Sequence, residues 1–213
     1  MSIEDLRDAL EKKLGARLRD IATLPDEVVS LRVDRWVEAF TGAFRELGKQ
    51  GGFEVAPLRR GVGELGWELV WGKNLAPGYA QLGSTAPGQL FQLELVLEIS
   101  ENTLRPGTRP ESSVEETCTD LARLLWARAA VKVLVFGAHA EKDPASSIQA
   151  LEAGLTGVIE ARDAESDYLL VALPNLEASR TVKGDDAVLW TKVFIRGKAK
   201  PPRTVKLAAL LKT

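Results

Sequence analysis

The stretch LFQLELVLEIS, residues 90–100, decides the fold. Leu93, Leu95, Leu97 and Ile99 alternate with Gln92, Glu94, Val96, Glu98 and Ser100, a period of two that predicts a strand with one apolar face and one bearing two carboxylates. Upstream, Phe53 to Leu58 and Trp67 to Trp71 are shorter strand candidates separated by glycine- and proline-rich turns. Downstream, Ser112 and Ser113 stand ready to cap a helix with Glu115 and Glu116 in its first turn and Val114, Cys118, Leu121 and Leu125 along one side. Val131 to Phe136 follows, apolar except for Lys132, as suits a strand covered on both faces. A helix from about Ala145 to Glu160, a strand Tyr168 to Leu173, and a last strand Val188 to Ile195 after the Lys183-Gly184-Asp185 turn complete the alternation.

Two helices precede these strands. Ile3, Leu6, Leu10, Leu14, Leu18 and Ile21 repeat at three or four residues behind Ser2, which is placed to cap the first turn. Leu24-Pro25-Asp26 interrupts that pattern, and Val33, Trp36, Val37, Phe40, Phe44 and Leu47 mark a second stripe that stops at Gly48 and Gly51-Gly52. The expectation is one α/β domain over residues 1–213 with a mixed central sheet, in which residues 1–24 form a helical arm or subunit contact. Residues 188–213 supply a C-terminal strand and basic tail: beyond Asp186 there is no acid, whereas Lys192, Arg196, Lys198, Lys200, Arg203, Lys206 and Lys212 are all basic.

Composition narrows the chemistry. With 45% hydrophobic and 27% charged residues and a formal net charge of -2, the chain reads as a soluble globular protein. It has no run of roughly eighteen apolar residues, and its charged N-terminus differs from a secretory leader, so a cytoplasmic protein without membrane contact is expected. One cysteine, Cys118, and one histidine, His139, disfavour a disulfide, a zinc site and most nucleophile triads. Carboxylates, lysines and hard metals remain.

The order αβββαβ over residues 33–173 resembles the core of the PD-(D/E)XK nuclease superfamily, the restriction-endonuclease-like fold. The resemblance rests on Trp67-Glu68-Leu69-Val70-Trp71, Leu95-Val96-Leu97-Glu98-Ile99-Ser100-Glu101-Asn102, Asp120-Leu121-Ala122-Arg123-Leu124-Leu125 and Val131-Lys132-Val133-Leu134-Val135-Phe136. It implies a Mg²⁺-dependent endonuclease acting on DNA, with Glu68 and Glu98 as metal ligands. A metal held there would polarise the phosphate and lower the pKa of a bound water. Ser100 stands where the family has the lysine of E-x-K, so the cation must come from elsewhere. Arg123 is at the place of a helix lysine used by some members, although the helix period points it away from the apolar stripe, and Lys73 and Arg128 are the other candidates. A catalytically inactive member serving as a binding or assembly module is the alternative, and a homo-oligomer is compatible with either.

Plainer readings stand beside these. Glu94 and Glu98 are equally what a solvated strand face shows, Glu68 what an edge strand shows, and Ser100-Glu101-Asn102 what a turn shows. His139 reads as a loop histidine, Cys118 as a small core residue, and Trp36, Trp67, Trp71 and Trp126 as core aromatics. Lys198, Lys200 and Arg203 could track a phosphate backbone, while Val205, Leu207, Leu210 and Leu211 suit a short amphipathic helix docking on the protein.

Overall fold

A computed structural model describes residues 1–21, 31–57, 67–73, 93–104, 110–138, 144–174 and 187–212. Its elements are α1 (Ile3–Ile21), α2 (Val33–Gln50), β1 (Glu54–Pro57), β2 (Leu69–Gly72), β3 (Leu93–Ile99), the single turn α3 (Glu101–Leu104), α4 (Pro110–Trp126), β4 (Ala129–Ala138), α5 (Pro144–Arg162), β5 (Asp167–Pro174), β6 (Val188–Ile195), β7 (Lys198–Ala199), β8 (Arg203–Lys206) and α6 (Leu207–Leu210). The Leu24-Pro25-Asp26 break, the Lys183-Gly184-Asp185 turn and His139 lie outside the described residues.

The strands form one mixed sheet in the order β1-β2-β3-β4-β5-β6-β7, with β8 also paired to β6. β1, β2 and β3 pair antiparallel, β3, β4 and β5 parallel, and β5 to β6 antiparallel again. Parallel neighbours need a crossover long enough to return the chain to the same end of the sheet, and α4 and α5 lie in those two connections. Alternation then divides the core. Leu95, Leu97, Ile99, Val133 and Val135 face one apolar layer, while Val96, Leu134 and Phe136 face the other, built with Leu121 and Leu124 of α4 and Leu155 and Ile159 of α5.

α1 is a core helix rather than an arm. Leu6, Leu10, Leu14 and Leu18 are fully or almost fully buried in the same layer as Phe40 and Phe44 of α2. Each such burial is worth about 1.5–3 kcal/mol, which fixes the helix to the sheet. Its start is the expected cap: the Ser2 hydroxyl accepts from the Asp5 amide at 3.1 Å, and the Asp5 carboxylate accepts from the Ser2 amide at the same distance. The hydrogen bond from the Ser2 side chain, with that from its backbone, holds the Asp5 carboxyl below its ordinary pKa.

Of the short docking helix expected over Val205 to Leu211, Leu207–Leu210 is helical, whereas Val205 lies in β8 and pairs with Leu189 of β6. α6 is a single turn that buries Leu207 and Leu210. A Cβ on Gly15 would stand 2.3 Å from the Leu210 carbonyl oxygen, a measure of how closely α1 and α6 approach. Among the described residues no helix is long and apolar enough to cross a membrane.

Candidate functional site

The strand face bearing Glu98 is covered, not solvated. α4 lies over it, and Glu98 is 1% exposed. β2 runs antiparallel to β3 with Leu69 opposite Leu97, and the Glu68 amide donates to the Leu97 carbonyl at 2.9 Å. The two acids singled out in the sequence therefore stand at the same end of that register pair, on adjacent strands, with Glu68 half-buried.

Arg123 of α4 supplies the cation. Its Nη1 donates to Asp120 Oδ1 at 2.8 Å and lies 3.5 Å from Glu98 Oε1. Both carboxylates are buried, yet the arginine side chain is 46% exposed, so the guanidinium caps the pair from the solvent side. The other candidates are elsewhere. Lys73 Nζ sits 5.7 Å from the centroid of Phe53, whose ring stacks on Trp71 in the layer across the sheet from Glu98. Arg128 lies near the start of β4.

Ser100 sits where the strand gives way to α3. Its amide donates to the Val135 carbonyl at 2.8 Å, and its carbonyl accepts from the Thr103 amide at 3.1 Å and the Thr103 hydroxyl at 2.6 Å. Thr103 Oγ1 in turn accepts from the Gly137 amide at 2.7 Å, which ties the turn to β4. The Ser100 hydroxyl is buried without a hydrogen-bond partner among the described residues. Ser100-Glu101-Asn102 thus ends the strand in a helical turn, and Asn102 Nδ2 reaches Glu116 on α4.

α4 is rotated from the sequence expectation. Thr117, Asp120, Leu121 and Leu124 face inward, whereas Val114 and Cys118 are exposed and Trp126 is 85% exposed. The cysteine and this tryptophan are therefore not core residues. Asp120 is the site residue missed in the sequence. Its signal was present, since an acid three residues before Arg123 and beside Leu121 sits on the inner edge of the helix.

The proposed nucleic-acid residues divide. Lys198 and Lys200 are exposed. Arg203 is committed to α1, 2.7 Å from Asp8 and 2.9 Å from the buried Glu11. Burial raises the Glu11 pKa, and Arg203 offsets only part of that.

Among the described residues no three histidine, cysteine or acidic side chains come together as a group able to hold a metal ion. The donors at Glu98 do not fit a divalent cation: the carboxylate is buried and faces a permanent positive charge shared with Asp120. No protein-family model matches the chain, and no curated protein or solved structure matches it.

Proposed function

We propose that the chain is a restriction-endonuclease-like protein acting as a binding or assembly module, with Glu98 held in an ion-paired junction. The run α2-β1-β2-β3-α4-β4 and the sheet order β1-β2-β3-β4 support the fold. The observation that carries the function is Arg123 held between Glu98 and Asp120. A guanidinium stays protonated, so it offsets charge but takes no proton from water. The guanidinium joins strand to helix by reaching both carboxylates from the solvent side, a charge-assisted contact.

A metal-dependent nuclease acting on DNA phosphodiesters is the second reading, favoured by Glu68 and Glu98 standing at the same end of the Leu69–Leu97 pair, as neighbours on adjacent strands. The two separate on supercoiled plasmid and single-stranded DNA incubated with Mg²⁺ or Mn²⁺. The module reading expects no metal-dependent cutting by the wild type above that of Glu98→Ala prepared identically. Cutting by the wild type that disappears in Glu98→Ala would establish the nuclease instead.

A further inference from the structure

A cavity of about 810 Å³ opens at the amino-terminal ends of β3, β4 and β5, away from Glu98. Leu93 lines it, and Glu98 lies five residues further along the same strand, roughly 16 Å at about 3.3 Å per residue. Its wall holds three cations, Arg128, Lys132 and Arg162, against two acids, Asp163 and Glu165. Lys132 and Asp163 neutralise each other at 2.5 Å, and Asp163 also accepts from the Tyr168 hydroxyl at 2.7 Å. Arg128 and Arg162 remain against Glu165, a net charge of one positive; both arginines are exposed and, among the described residues, in no ion pair. Trp126, 85% exposed and not itself a wall residue, adjoins Leu125 and Ala127 of the wall in the chain, at the end of α4. Leaving an indole in water gives up a large apolar burial, which a planar ligand stacked on it would recover.

The basic end of β6 borders the same place. A Cβ on Gly197, at φ 71°, would stand 3.0 Å from Ala164 and 3.2 Å from the Asp163 carbonyl, so the Arg196-Gly197 turn packs on the cavity's acidic loop. The Arg196 amide donates to Asp167 Oδ1 at 2.9 Å, and its side chain and that of Lys198 are exposed. Arg128, Arg162, Arg196 and Lys198 thus add positive charge to one end of a chain whose overall charge is negative.

We infer that this cavity binds a nucleoside phosphate, with the phosphate on Arg128 and Arg162 and the base against Trp126. The volume suits a ligand of that size, and guanidinium groups pair with phosphate through charge-assisted hydrogen bonds. The inference is independent of the state of the Glu98 junction. The same chemistry is offered by a free nucleotide and by the terminal nucleotide of a strand.

Titrating the full chain with AMP while following tryptophan emission tests it, because Trp36, Trp67, Trp71 and Trp190 are buried and Trp126 is not. Saturable quenching by AMP is expected, with Arg128→Ala and Arg162→Ala each weakening binding by about tenfold or more. Calorimetry should show Trp126→Ala binding more weakly as well, at unchanged far-ultraviolet circular dichroism. A 5′-phosphorylated oligothymidylate that binds more tightly than AMP would assign the site to a strand end, and one that binds no better would assign it to the free nucleotide. No saturable binding of AMP at millimolar concentration, binding indifferent to both arginines, or inorganic phosphate binding as tightly as AMP would overturn the inference.

Discussion

Replacing Asp163 by alanine is expected to cost about 3–5 kcal/mol of stability, because it leaves a buried lysine charge without its partner. Lys132 projects from the middle of the sheet with a side chain 2% exposed, and Asp163 answers it at 2.5 Å. The same carboxylate accepts from the Tyr168 hydroxyl at 2.7 Å and from the amides of Glu165 and Ser166 at 3.2 and 3.1 Å. Burial by itself would raise the Asp163 pKa, but the hydrogen bonds from Lys132, Tyr168 and Ser166 outweigh it and hold the carboxyl well below the usual range. Burial first, and then the bond to Asp163, push the Tyr168 hydroxyl upward. A depressed native pKa contributes stability that is present above the unfolded carboxylate value of about 3.9 and lost as pH falls through the native one. Urea unfolding at pH 7 and pH 3 should therefore show the Asp163→Ala deficit shrinking in acid. Lys132→Met combined with Asp163→Ala should recover part of the loss, since the stranded charge is then gone. A single substitution within about 1 kcal/mol of wild type would show that the pair is not a buried joint.

The second large effect is steric. Gly137 lies where β4 passes under α3, and a Cβ there would come 2.1 Å from the Thr103 carbonyl oxygen and 2.6 Å from its carbon. Backbone atoms cannot rotate aside, so Gly137→Ala must push α3 off the strand and break the bond from the Gly137 amide to Thr103 Oγ1. A loss of about 3 kcal/mol is expected. Gly154 of α5 is the control, because nothing stands within 4 Å of the Cβ it would gain. Gly154→Ala should stabilise by about 0.5–1 kcal/mol through helix propensity alone. Equal effects at the two glycines would contradict the close packing of α3 on β4.

Periodic elements were legible and rotations were not. β6 is legible with its bounds, β3 over its described residues Leu93–Ile99, and the Ser2 cap in detail, because each is written in a local pattern. α4 was found, but its buried side was misplaced. Val114 and Cys118 are apolar and looked inward, yet the helix turns Thr117 and Asp120 to the sheet. A polar contact sets that rotation: Arg123 and Asp120 meet Glu98, and hydrophobic periodicity carries no signal for such a contact. The leucine spacing at the end of the chain marks the docked turn Leu207–Leu210, while strand pairing with β6 takes Val205 out of it. Glu68, Glu98 and Arg123 were legible as candidates. That Arg123, rather than Lys73 or Arg128, reaches Glu98 was not, because it depends on which sheet face each element covers.

The claim that the Glu98 junction is closed by its own arginine is tested most directly by calorimetric titration of Mn²⁺ into wild type and Glu98→Ala. No saturable binding that depends on Glu98 is predicted, nor a metal-dependent rise in melting temperature, which any ligand bound only by the folded state produces. Mn²⁺ bound by the wild type and lost in Glu98→Ala would contradict the account.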